Sequence, residues 1–293
     1  MQYQRHSWMT EPAKARSEIW RTIAGFVAIL ITASILNALA FGAVGNAFPD
    51  WARYTLLAEP LGNTPGAVLF LLFSFGLTLT ATVGAAKLLH KRGLQSLIGP
   101  IGAALPDFWR CIRLLMILTV ALFLIPSGEG EPLIANLNFG KWLALLPLAL
   151  LGILVQVSTE EIMFRGYLQQ QLAARFKSPI IWMLIPATLF ALGHFSSENG
   201  ELAPFIVIWA LLFGVAAADL TARSGSLGPA IALHLVNNAA AMLLVAMPDS
   251  FSGLALYHHP FFLSDIELLS APMLLDLLHL LVAWLTCRIA IRR

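Results

Sequence analysis

The sequence predicts an all-α fold: a polytopic membrane protein of about eight transmembrane helices, with N- and C-termini in the cytoplasm. Three observations carry that expectation. The 293 residues are 58% hydrophobic and only 12% charged, against about 25% charged in a soluble domain. Apolar runs of about 20 residues, enough to cross a bilayer as a helix, recur along the chain. Basic residues cluster in alternate connections, so that 16 of the 18 Lys and Arg fall on one side. The positive-inside rule makes that side cytoplasmic.

The spans are expected at about 22–46, 65–88, 110–127, 142–166, 179–197, 203–222, 226–247 and 268–290. Before them, residues 1–20 read as a polar, partly helical cytoplasmic tail with Arg5, Lys14 and Arg16. Ala38-Leu39-Ala40 looks like a signal-cleavage site, but the apolar stretch before it is long. The charge alternation also needs the first span, so an uncleaved anchor is expected. Residues 21–140, with the first three spans, hold almost no ionisable group at their apolar centres and read as lipid-facing scaffold. Lys87, Lys91, Arg92, Arg110 and Arg113 place the second connection inside. Only Arg53 and Lys141 fall outside, among acids that include Asp50, Glu59, Glu129 and Glu131.

Residues 141–247, spans four to seven, hold the polar groups. Arg165, Arg175 and Lys177 mark the connection after the fourth span as cytoplasmic. Its GYLQQQLAARFKSP reads as a helix continuing along the inner interface and ended by Ser178-Pro179. Pro186 is expected to kink the fifth span, and RSGSLGP reads as a tight turn between the sixth and seventh. Residues 248–293 comprise an external loop, with LYHHPFF resting on the outer interface, and the last span. The net charge of +2 is spread over short segments, so no nucleic-acid stripe is expected. Cys111 and Cys287 sit near cytoplasmic span ends, where disulfides are not expected.

The chemistry concentrates in Ser158–Tyr167, STEEIMFRGY. Ionisable groups at membrane depth are costly, which makes each one a functional hypothesis. Glu160 and Glu161 point about 100° apart on a helix and cannot share one face. Glu161 and Arg165 are i,i+4 neighbours and can pair, which leaves Glu160 to meet a water or a histidine from another helix. His194 follows Phe190 by four residues. His234 and Asn238 share one stripe, with Asn237 beside them. Each cluster alone reads equally as interfacial charge or interhelical hydrogen bonding. Asp276 and His279, spaced i,i+3, are expected to bond each other or a neighbour. Asp219 and Arg223 read as an i,i+4 pair. No HExxH is present, although two histidines and a carboxylate would suffice for zinc; no cofactor is expected and a divalent metal stays open.

Taken jointly, Glu160-Glu161-x-x-x-Arg165, Phe190-x-x-x-His194 and His234-x-x-x-Asn238 resemble the CAAX protease and bacteriocin-processing (CPBP) family. Its members include the type II CAAX prenyl endopeptidases, or Abi proteins. Phe164-Arg165-Gly166-Tyr167, Phe213-Gly214 and the Ser224-Gly225-Ser226-Leu227 turn extend the likeness over about 142–245. Ala218 departs from it, since many members have a second glycine there. The resemblance implies an eight-helix intramembrane endopeptidase of glutamate type. Glu160, assisted by His194, would take a proton from water, and His234 and Asn238 would donate to the oxyanion. Glu161, Arg165 and Phe190 would support them. The expected partners are a peptide or membrane-protein substrate, prenylated or leader-type, and a lipid bilayer, in a bacterial plasma membrane. The competing readings are a non-catalytic scaffold or immunity protein of the same fold and a proton-coupled transporter.

Overall fold

The computed structural model describes residues 3–57, 60–124, 132–262 and 265–292. Glu59, Glu129, Glu131 and Arg293, part of the charge pattern, lie outside them. The chain is a helical bundle. A short α1 (Ser7–Lys14) precedes α2 (Ile19–Ala47), α3 (Pro65–His90) and α4 (Ile101–Phe123). Next come α5 (Phe139–Glu161), a π-helical segment at Ile162–Leu168, and α6 (Gln169–Arg175). Then follow α7 (Pro179–Leu192), α8 (Ala203–Ser224), α9 (Gly228–Ala239) and α10 (Ile266–Ala290).

Each expected span falls on one of these helices, but they are not equivalent. Among the described residues, five stretches are long and apolar enough to cross a membrane: Ile19–Ala47, Pro65–His90, Phe139–Arg175, Asn199–Ser224 and Met273–Ala290. Pro179–Leu192 and Gly228–Leu244 are apolar but shorter. In α4 the first half carries Asp107, Arg110 and Arg113, with Asp107 bonded to Arg110 at 2.8 Å. On α2, Ile23, Val27, Ile31 and Ile35 remain exposed, an apolar outer face suited to lipid. At one end of the bundle, β1 (Ile134–Ala135), β3 (Tyr257–His258) and β2 (Val245–Ala246) form a small sheet. There β3 pairs antiparallel with β1 and parallel with β2. The LYHHPFF stretch is therefore partly woven into this cap.

The N-terminal segment is docked at the opposite end. Met9 is fully buried. Its carbonyl accepts from Arg92 Nη2 at 3.3 Å, and the same nitrogen donates to Gln170 Oε1. Tyr3 Oη donates to Asp219 Oδ1 at 2.8 Å. Arg223 Nε sits 2.8 Å from both Asp219 oxygens, as its spacing predicted, and Trp284 Nε1 of α10 donates to Oδ2 at 3.0 Å. One carboxylate thus fastens the first residues, α8 and α10 together, with both ends of the chain at the same end of the bundle. Gly225 ends α8 with φ +73°, and a Cβ there would stand 2.4 Å from the Arg5 carbonyl oxygen. The RSGSLGP turn therefore has no room for a side chain where the N-terminal segment crosses it.

Two outcomes follow from this docking. Asp219→Ala strands the buried Arg223, a loss of roughly 3–5 kcal/mol. Tyr3→Phe removes one bond to a charged acceptor, about 1.5–3 kcal/mol. Thermal unfolding in detergent should rank them in that order. His6, packed against Trp182 with ring centroids 4.8 Å apart, is pushed by burial from 6.5 down to about 4. Its contribution is therefore complete above about pH 6.5 and drains away as pH falls toward about 4. Acidification across that window should lower the unfolding temperature, and His6→Phe should flatten the dependence.

Candidate active site

The fourth span does not end near Glu160. Its helix continues unbroken as Phe139–Arg175, 37 residues, and every residue from Glu161 to Leu172 is buried. GYLQQQL is therefore covered by other helices of the bundle, while Arg175 at its end is exposed. Arg165, counted among the loop cations, is wholly buried. By span boundaries alone, Glu160 would lie near the cytoplasmic end of the fourth span and His194 toward the outer end of the fifth; the longer helix changes that reckoning. Counting back from Arg175, Glu160 lies about 22 Å along the helix axis, and counting forward from Pro179, Leu192 at the end of α7 lies about 20 Å along its own. The two helices run side by side here, with the Phe190 ring against the Arg165 guanidinium. Pro186 lies within α7, which runs through it.

At that level Glu161 Oε1 accepts from Arg165 Nη1 at 2.9 Å and from His234 Nδ1 at 2.8 Å. The side chains of Glu161 and Arg165 are 0% and 1% exposed. Across the imidazole, His234 Nε2 stands 3.5 Å from Glu160 Oε2. The two carboxylates diverge as helical geometry requires, and His234 comes between them from α9. A carboxylate only accepts, so Nδ1 carries a proton. Aromatic rings enclose the group. The Arg165 guanidinium carbon lies 4.5 Å from the Phe190 centroid, within cation–π range, and Phe213 lies 4.7 Å from the His234 ring. Gly214 allows this closeness: a Cβ there would meet Ala187 Cβ at 2.9 Å and Arg165 Nη2 at 3.2 Å.

His194 caps the far side of Phe190. It follows the end of α7, exposed, with its ring 4.5 Å from the Phe190 ring and Nδ1 2.9 Å from the Phe190 carbonyl oxygen. That oxygen accepts, so Nδ1 is the donor and Nε2 is left facing away from the Phe190 carbonyl. Among the described residues no hydrogen bond joins Glu160 to His194; the histidine beside Glu160 is His234. Asn238 Nδ2 donates to Gln156 Oε1 at 2.9 Å. Gln156 belongs to none of the three motifs. Its signal was a lone amide in an apolar run, four residues before Glu160 and hence on the same face.

The remaining motif residues hold the walls. Tyr167, fully buried, donates to His90 Nε2 at 2.8 Å while His90 Nδ1 donates to the Arg16 carbonyl at 2.8 Å. This ties the π-helical segment to the end of α3. Such segments are frequent at functional sites. Ala218 packs beside Trp182 and Leu172, and its carbonyl accepts from Gln169 Nε2 at 3.1 Å. Other candidates lie apart from the site. Asp276 is exposed and makes no hydrogen bond with His279 among the described residues. His279 instead lines a narrow cleft with Asn237 and Thr119. His259 stacks on Phe261 at 5.0 Å. Cys111 and Cys287 are free and buried. Among the described residues no three His, Cys, Asp or Glu side chains are grouped to hold a metal ion.

Residues 141–240, which contain all of these groups except His90 and the outlying candidates, match the family described as type II CAAX prenyl endopeptidase Rce1-like. The resemblance read from the three motifs agrees with this match, which spans all three of them. The chain is also 25% identical over 256 residues to YyaK, an uncharacterized protein of Bacillus subtilis (strain 168), covering 83% of each sequence. No solved structure matches it.

Arg165→Met leaves Glu161 buried without its cation, and stability in detergent should fall by roughly 3–5 kcal/mol. The double variant with Glu161→Gln should recover part of that loss. Purely additive losses in this cycle would mean the two side chains are not energetically coupled.

Proposed function

We propose that the chain is an intramembrane endopeptidase of glutamate type, hydrolysing a peptide bond of a membrane-borne peptide or protein. The observation that carries this reading is Glu160 held 3.5 Å from His234 Nε2 beside the Phe190 and Phe213 rings, within the stretch similar to the Rce1-like family. A site of that composition needs a water, a base and oxyanion donors. Glu160, with 13% of its side chain exposed, is the base, and His194 Nε2 orients the water. The water oxygen bonds to the scissile carbonyl carbon as its proton passes to Glu160. The oxyanion receives His234 Nε2–H, whose other nitrogen is anchored on Glu161, and Asn238 Nδ2–H. Collapse breaks the C–N bond, and Glu160 returns its proton to the leaving amine. Preorganised donors in such a cavity contribute roughly 3 kcal/mol each to the transition state.

The substrate is a prenylated carboxyl terminus, a leader peptide or a membrane-protein tail. The protein would sit in a bacterial plasma membrane with eight spans and cytoplasmic termini. Supporting this orientation, Arg5, Arg175, Lys177, Arg223 and Arg288 belong to the end of the bundle where Tyr3 meets Asp219.

The test compares membrane and secreted peptides from cells carrying the wild type, Glu160→Gln or His194→Ala. Loss of the same product in both variants is the expected result. His234→Ala and Asn238→Ala should each slow its formation by about 10²–10³-fold. An unchanged peptide profile alongside a changed phenotype would reject proteolysis in favour of a scaffold.

A further inference from the structure

We infer that Gln156 is a positioning residue for the reaction, orienting the Asn238 carboxamide so that one of its N–H groups faces the oxyanion. This rests on the protease reading above. Three amides form a directed chain. Asn237 Nδ2 donates to Asn238 Oδ1 at 3.2 Å, and Asn238 Nδ2 donates to Gln156 Oε1 at 2.9 Å. A carboxamide can flip, exchanging its oxygen and nitrogen with little change of shape. Held at both ends, Asn238 cannot do so freely. Flipped alone, Asn238 would set its oxygen against the Gln156 oxygen and its NH2 against the Asn237 NH2. The unflipped form keeps one Nδ2 hydrogen on Gln156 and leaves the second for a developing oxyanion.

The placement of Gln156 also fits the helix geometry. Its helix and α9 run antiparallel, since Trp142 near the start of α5 bonds the Leu243 carbonyl beyond the end of α9 at 2.8 Å. Gln156 is one turn before Glu160, and Asn238 is one turn after His234. The rung Gln156–Asn238 therefore stacks one turn beside the rung formed by the glutamates and His234. Gln156 is 8% exposed, between fully buried Ile153 and Val157. A buried amide among such neighbours is unfavourable unless it is bonded, and a leucine would fill the same space without that penalty.

The probe is the peptide whose production depends on Glu160, cleaved by the purified full-length protein in nanodiscs. Gln156→Leu should lower kcat roughly 10- to 100-fold at unchanged KM, part of the about 10²–10³-fold that a lost donor costs. Gln156→Glu keeps an acceptor oxygen and should recover at least about tenfold over the leucine variant. Gln156→Leu combined with Asn238→Ala should fall no further than Asn238→Ala alone. A wild-type kcat in Gln156→Leu, a change confined to KM, or multiplying losses in the double variant would overturn the assignment and leave the protease reading intact. If Gln156→Leu does not accumulate in membranes, Gln156→Asn, too short to reach, against Gln156→Glu decides in the same way. If no peptide depends on Glu160, the protease reading fails and this inference falls with it.

Discussion

One carboxylate oxygen organises the interior. Glu161 Oε1 accepts both the Arg165 guanidinium, from its own helix, and the His234 imidazole, from α9. Buried ion pairs add little net stability, since desolvation offsets their attraction. Their value is positional: an arrangement that leaves any of the three unpaired in an apolar interior is heavily penalised. That penalty sets the axial register of α5 against α9. The same register brings Glu160 to His234 Nε2 and Gln156 to Asn238.

The rest of the bundle keeps that contact dry and in place. Phe190 and Phe213 present ring faces to the guanidinium and the imidazole, and Gly214 lets α7 and α8 close around Arg165. Tyr167 and His90 anchor the π-helical segment, and the docked N-terminal residues cover α6, whose Gln169 and Gln170 are fully buried. This continuous burial places the glutamates within the helix bundle, where one side chain, Glu160, retains partial exposure.

Much of this was legible in the sequence because it depends on local spacing. An i,i+4 separation brings Glu161 to Arg165 and Asp219 to Arg223 on any helix, and the divergence of adjacent glutamates is equally local. The depth of the site was not legible. GYLQQQLAAR looks amphiphilic, and only its neighbours, α1 with Met9 and Arg92 above all, make its glutamines interior. Arg165 was misplaced among loop cations for the same reason, since charge alone does not distinguish a solvated arginine from one buried against a carboxylate. Gln156 was passed over because a single amide in an apolar run has no local partner.

By itself the sequence determined the helical, membrane-type architecture and the identity of the polar residues, because hydropathy and helical periodicity are properties of neighbours along the chain. The tertiary structure alone decided which histidine faces Glu160. Pairing across helices depends on register and on the length of each helix, and both were set by contacts between residues such as Glu161 and His234, 73 positions apart. It also decided that Asn238 is held from two sides, since Gln156 lies 82 positions away and meets it only once the two helices have packed.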